Sequence, residues 1–383
     1  MKLMIRLCIF QIQKILLYVS YVFFSFFVKK IDNVWVIGVD EVAATIWNLS
    51  HVLEPSISVS LSWHPFYSYK YDYSLFSTSK LGKLRRLIYS PILLGLLLNK
   101  SDRFLYIWDT GFLMNSVDGR KFEFSFLKRK GKELCCLFCG NDIRSPYLAR
   151  KNAERMGIEV TATYYDLIAP HRLTEKYENH KKLIAASADE YADVIFNAPI
   201  DQISYLKKQT CPPIYAYPDE LFIRRDAKFQ EISSIKILHA PSSPIVKGTQ
   251  IVRAAIKKLR IEGYTFVYTE LLNVPNQRVI EELRDAHIVL NEFYAFVPGQ
   301  FGIEAMAAHC ALVTSGDPTI ETSLPVGSAG AWMITKYWQV YDHLKYLLDH
   351  PDQIKKYADS GFEWAKENCR YSIIKDKLTY VLK

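Results

Sequence analysis

At 383 residues the chain exceeds one small domain, and with half its residues apolar and 23% charged it is not disordered overall. A formal net charge of +8 favours anionic partners such as nucleotides, lipid diphosphates or membrane surfaces. No recognisable nucleic-acid module appears, so nucleic acid is not an expected partner. The 25 Tyr and 21 Phe suit core packing, sugar stacking or a membrane interface. Seven cysteines in a chain of this length make no disulfide framework. Cys135, Cys136 and Cys139 lack a second Cys/His pair at ligand spacing and read as small buried residues of a strand. No metal site is expected, and a reducing cytoplasmic location follows.

The first element is the apolar run 15–28, broken only by Ser20 and Ser25, preceded by Arg6 and Lys14 and followed by Lys29 and Lys30. It is shorter than the roughly 20 apolar residues of a spanning helix, and no small-residue cleavage site follows it. The pattern predicts a helix lying in a membrane interface, with a buried first helix as the alternative. Residues 33–39 (NVWVIGV) read as a buried strand, and a helix-like stretch from Asp40 and Glu41 completes a βα unit. Residues 56–62 predict a second strand, leading into the aromatic segment 63–67. Lys80, Lys83, Arg85 and Arg86 then precede the apolar run 87–98, which fits either a membrane-resting surface or a core helix with a solvated start. Runs 104–108, 134–138 and 194–196 are further strands.

The proline-bearing stretch 211–236 is expected to connect two domains. Beyond it, strands 236–239, 265–269, 287–290 and 311–314 alternate with helices 249–259, 276–284 and 301–308. Helical segments from Lys336, Pro351 and Tyr371 close the chain. The alternation implies α/β architecture, two Rossmann-like doubly wound domains facing a cleft. The expected division is an N-terminal helix at 1–30, a first domain at 31–222, a second at 223–365 and a C-terminal helix at 366–383. Ligands of such sheets bind outside the carboxyl ends of the strands, so the loops there are where chemistry belongs.

Residues 239–249 (HAPSSPIVKGT) stand at such a strand end and open a helix. Free N–H groups and the helix dipole attract an anion there; Lys247 adds a full charge, and Gly248 lets the backbone approach phosphates closely. A solvated lysine is the commoner reading of a lone Lys-Gly pair. Residues 299–308 (GQFGIEAMAA) place Glu304 in the first turns of a small-residue helix after another strand and loop. A carboxylate there can accept two ribose hydroxyls, or can simply complement the helix dipole. Order and separation within one Rossmann-like domain make the pair a stronger signal than either alone.

On these two segments the chain resembles the "glycosyl transferases, group 1" family, the retaining nucleotide-sugar-dependent enzymes of the GT-B superfamily. Residues 239–249 are similar to its phosphate-binding strand–loop–helix, and 299–313 to its ribose-binding signature of a glutamate followed by Ala-Met-Ala. Specific resemblance covers about 235 to 361. It implies that Lys247 contacts the donor diphosphate and Glu304 the ribose, with Ser242, Ser243, Gly248, Gly299 and Gly302 shaping the donor-binding loops. Three departures stand out. Phe296 occupies the position of a second glutamate, Ser242, Ser243 and Pro244 replace a usual arginine, and His309 and Ala311 replace a usual glycine and proline.

In the first half, Asp142 and Arg144 follow a strand and resemble a segment of related transferases; they would orient sugar hydroxyls or a phosphate, or else form a local salt bridge or a helix cap. His64, after a strand and among aromatics, is an acceptor-site or proton-shuttle candidate against a structural role. The expected function is metal-independent, cofactor-free transfer of a sugar from a nucleotide-sugar to a glycan or lipid-linked acceptor in surface polysaccharide assembly. It would take place in the cytoplasm at the inner face of the cell membrane, through peripheral association. The alternatives are a nucleotide-sugar epimerase on the same fold and a non-catalytic nucleotide-sugar-binding assembly protein.

Overall fold

Short apolar runs alternating with amphipathic stretches fold as two parallel sheets whose central strands are buried on both faces, while the edge strands are partly exposed. The computed structural model describes residues 2–77, 79–230, 232 and 234–382, with side chains from Met4 onward. In the first sheet, β1 (Trp35–Val39), β2 (Ser56–Ser60), β3 (Tyr73–Ser74), β4 (Arg103–Ile107), β5 (Glu133–Leu137) and β6 (Val194–Phe196) lie in the order β3-β2-β1-β4-β5-β6. All neighbours are parallel, and β1 meets β4 in register from Trp35↔Arg103 to Val39↔Ile107. Every residue of β1 is buried, as helices on both faces require. In the second sheet, β7 (Lys236–His239), β8 (Val267–Glu270), β9 (Ile288–Leu290), β10 (Ala311–Thr314) and β11 (Met333–Ile334) lie in the order β11-β10-β9-β7-β8, again parallel. The winding reverses between β1 and β4 in one sheet and between β7 and β9 in the other. These are the switch points beside which doubly wound sheets take ligands.

Most expected strands appear with their ends moved by a residue or two. The two-residue strands β3 and β11 went unpredicted because neither carries an apolar run long enough to read. By internal contacts one unit comprises the chain up to Leu148 and Thr174–Ile214, with Leu382, and the other Ala149–Leu173 and Tyr215–Val381. Of the expected connection 211–236, Glu231 and Ser233 lie outside the described residues; 3₁₀ turns occupy Asp219–Leu221 and Asp226–Phe229.

The first helix corrects the sequence reading. It spans Lys2–Ser25 rather than 15–28, because its buried stripe includes polar residues that an unbroken-apolar criterion rejects. Phe10, Gln13, Leu17 and Ser20 recur at helical spacing and are buried in the first unit. They face the helix Lys80–Lys100, which begins with Ser79 Oγ accepting from Gly82 N and therefore starts before the apolar run 87–98. Pro91 within that helix has no N–H to offer Leu87 O, and Gln13 Nε2 donates to that carbonyl at 2.9 Å instead. Gln13 Oε1 meanwhile accepts from Met114 N at 2.9 Å. Gly95 allows close approach, since a Cβ there would stand 2.1 Å from Ser20 Oγ. Asn99 Nδ2 adds a bond to Tyr21 O at 2.9 Å.

Candidate functional site

Three successive βα connections of the second sheet bring the polar residues together. The loop after β7 carries Lys247, whose Nζ lies 2.5 Å from Glu292 Oε2 in the loop after β9. This ion pair bridges the two strands flanking the switch point. Gly248 adopts φ +77° at the start of helix Thr249–Ile261, and a Cβ there would press on Phe293 at 3.2 Å. The position needs glycine both for its left-handed backbone and for the closeness of the neighbouring loop. His239, at the end of β7, is fully buried between Leu290 O (2.7 Å) and Thr249 Oγ1 (2.9 Å). A carbonyl can only accept, so Nδ1 carries the proton and Nε2 accepts from the threonine. Burial drives this histidine down to about 4, so it stays neutral and ties the strand ends together.

The phosphate-cradle expectation needs a correction here. The amides of Lys247, Gly248 and Thr249 are already bonded within the loop, to Ser243 O (3.0 Å), Ile245 O (3.2 Å) and Pro244 O (2.9 Å). The turn consumes these three of the N–H groups that a free helix start would have offered. Ser242 is exposed and Ser243 half-buried on the outer side of the same turn.

Gly299, with φ +62°, opens the helix Gly299–Ala307, and a Cβ there would stand 3.2 Å from Glu292 Oε1. Gly302 packs on Pro298 and Asn291. Glu304, one turn on, is buried, and among the described residues its partner is Asn276 Nδ2, at 3.2 and 3.4 Å from its two oxygens. Asn276 begins the helix after β8. Burial lifts Glu304 to about 7, and the Asn276 bond offsets this only in part. One weak amide bond leaves most of the acceptor capacity of a buried carboxylate unused, an expensive arrangement that a ligand's hydroxyl groups would relieve.

The sequence reading missed Glu292 and Asn276. Glu292 is an acidic residue directly after an apolar strand, a visible signal, but the family comparison drew attention to position 296. Asn276 carries no motif, and its place was set by the packing of its helix.

In the first unit the candidate residues are not presented as expected. Asp142 is fully buried and accepts from Cys139 N (2.9 Å) and Gly140 N (2.7 Å), so it braces its own loop. Burial, aided by nearby Asp109, raises it to about 6. Arg144 turns away from it to Asp201, with Nη2 at 2.5 Å from the carboxylate and Nε at 2.6 Å from the carbonyl. Among the described residues the local salt bridge foreseen for this segment is not formed; Arg144 pairs instead with a residue distant in sequence. His64 accepts from Phe66 N at 3.2 Å and sits among Phe66 and Tyr67, its pKa lowered by burial. An unforeseen pair lies deeper: buried Lys181 Nζ bonds Asp109 (2.9 Å) and Asp142 O (2.7 Å). Burial would raise Asp109, but His180 and Lys181 outweigh it and hold the carboxyl near 2.

No family model and no curated protein sequence matches the chain. Solved structures do match. Sucrose-phosphate synthase from Thermosynechococcus elongatus aligns over 91% of this chain and 98% of its own, at a TM-score of 0.58 and 10% identity. Anabaena HepE, solved in complex with UDP and glucose, covers 91% of this chain and 99% of its own at 0.54 and 10% identity. WaaG, a glycosyltransferase involved in lipopolysaccharide biosynthesis, covers 91% and 99% at 0.55 and 14% identity. The fold is GT-B.

One departure from the pattern of the resembled family acquires a physical reason. His309 stands at φ +63°, the left-handed backbone that makes glycine usual there. Its ring repays the strain by accepting from Arg225 N (3.0 Å) and donating to Asp359 (2.8 Å). Phe296 is buried, and its carbonyl accepts from Asp317 N at 3.1 Å. Asp226, His309 and Asp359 also cluster at metal-ligand distances, but Arg224 and Lys355 already pair with both aspartates.

Proposed function

We propose that the chain is a glycosyltransferase that moves a sugar from a nucleotide-sugar to a glycan or lipid-linked acceptor, at the inner face of a membrane and in surface polysaccharide assembly. The observation that carries this reading is Glu304, a buried carboxylate at a switch point of the GT-B fold, raised to about 7 and held by one amide. Ribose hydroxyls would supply the missing donors, and their arrival would favour the ionised form. Lys247 would meet the donor diphosphate. Its ammonium has three N–H donors, so it can keep Glu292 and still donate to a phosphate oxygen. As the sugar–phosphate bond breaks, charge grows on that oxygen, and a pre-placed ammonium stabilises it without reorganising. Donor binding of this kind calls on no metal ligand from these residues. The HepE complexes with UDP and with UDP-glucose support a nucleotide-sugar donor by analogy of fold.

The non-catalytic alternative is favoured by one feature, the neutralisation of Lys247 by Glu292 together with apolar Phe296 at the position of a second glutamate. Turnover of a panel of nucleotide-sugars, with and without membrane lipid extract, separates the readings. Transfer predicts release of nucleoside diphosphate that rises with extract. An altered free sugar without acceptor would mean an epimerase, and binding without turnover would mean an assembly protein.

A further inference from the structure

The first unit holds a cavity that the donor site does not use. It encloses about 470 Å³, in the size range of small-ligand sites. Its walls are the segments following β2, β3 and β4, Gln13 of the first helix, and one stripe of the helix Lys80–Lys100. It therefore opens at the carboxyl ends of strands on either side of β1, where a doubly wound sheet takes its ligand.

The stripe consists of Lys83, Arg86, Leu87 and Ser90, spaced so that one helix face looks into the cavity. Arg86 is half-buried, and among the described residues neither its guanidinium nor the Lys83 ammonium has a hydrogen bond or ion pair. The charge that bears on Arg86 is Asp40, whose carboxylate already takes the Thr110 hydroxyl. Ser90 Oγ is buried at 1% exposure and, among the described residues, has no hydrogen-bond partner. Two uncommitted cations and an orphaned hydroxyl around one cavity describe a receptor for a multiply accepting anion, a phosphate.

The surroundings indicate what carries the phosphate. One turn around the same helix, Leu81, Leu84 and Ile88 face solvent, Leu81 at 60% exposure. On the first helix Ile12, Ile15 and Val19 do the same, Ile15 at 63%. Neither helix contains an acidic residue, while Arg6, Lys80 and Arg85 accompany the apolar faces. Apolar side chains ringed by uncompensated positive charge complement an anionic bilayer rather than another protein surface. By length and composition the first helix could cross a membrane, but Gln13, Ser20 and the Asn99 bond hold one of its faces to the protein, which leaves the opposite apolar face to meet a bilayer from the side.

We propose that this cavity binds the phosphate headgroup of a lipid while the two helices rest on the anionic bilayer that carries it. The proposal rests on the glycosyltransferase reading only in making that lipid the acceptor. Binding itself needs no donor, so its failure and the failure of sugar transfer are separate results.

The test is co-sedimentation of the full-length protein with phosphatidylcholine vesicles doped with phosphatidic acid, or with phosphatidylserine at matched surface potential. Wild type should bind the phosphatidic acid vesicles roughly fivefold better, about the share of one engaged basic side chain. Ser90→Leu fills the cavity without changing charge and should bring the ratio to about one while binding to phosphatidylserine persists. Arg86→Gln should erase the ratio too, should Ser90→Leu fail to fold. Ile15→Glu should weaken binding to both vesicles alike. No preference in wild type, or a preference surviving both cavity variants, overturns the proposal. Complete competition by inorganic phosphate at the concentration of the lipid phosphate would assign the cavity to a soluble ligand and overturn it as well.

Discussion

Glu41 and Glu304 are both buried glutamates near a switch point, one in each sheet, and burial lifts both to about 7. Their surroundings differ. Glu41 accepts from Ile46 N and Trp47 N, each at 3.2 Å, and from Tyr71 Oη at 2.7 Å, so it holds the start of helix Thr45–Val52 in place. Among the described residues Glu304 has Asn276 alone. A raised pKa therefore marks burial, whereas unused hydrogen-bonding capacity marks a place for a ligand. The first glutamate is consumed by the fold, and the second is left to be completed by something else.

The comparison predicts its largest effect in the first unit. Glu41→Ala strands two backbone donors and a tyrosine hydroxyl, and should lower the local stability of Thr45–Val52 by about 4 kcal/mol. Hydrogen exchange of those amides measures it, and unchanged protection would mean that the cap is ornamental. Glu304→Gln should leave protection in the second unit intact.

The next effect is on pH. Both carboxyls sit above their unfolded value of 4.5, so each contributes stability that is full below that value and is lost as pH rises through about 7. Denaturant titration of the unliganded protein should show stability falling over this window, by at most about 3 kcal/mol per group. Glu304→Gln should flatten the fall, and an unchanged slope would remove Glu304 from the account.

Binding comes third. Glu304→Gln should weaken nucleoside and nucleoside diphosphate alike by about 1.5–3 kcal/mol, while folded Glu41→Gln should leave both unchanged. Equal losses in calorimetric titrations of the two variants would erase the distinction drawn between them. Lys247→Ala should cost about 1.5 kcal/mol of nucleoside diphosphate binding and almost none for the nucleoside. The smallest effect has the opposite sign. Glu292→Gln removes a negative charge beside the proposed diphosphate and should tighten its binding by about 1 kcal/mol, whereas weakening would make Glu292 a positioning residue for Lys247.

The sequence by itself determined the architecture. Apolar runs of strand length alternating with helical periodicity are best buried as parallel sheets covered by helices, so the longer strands were legible to within a residue or two, whereas the two-residue β3 and β11 were not. It also placed Lys247 at a strand-to-helix turn and Glu304 in the first turns of a later helix, because glycines and small residues mark such turns locally. Tertiary structure alone decided the partners. Arg144 meets Asp201, Lys181 meets Asp109, Lys247 meets Glu292 and Asn276 meets Glu304 across separations that no local pattern records. The first helix shows the same division. Its exposed apolar face was readable as a run, but its true extent depended on Gln13 answering a carbonyl that Pro91 leaves unbonded on another helix. Local periodicity reports which face of an element wants burial, and only the packed chain determines which polar group waits on the other side.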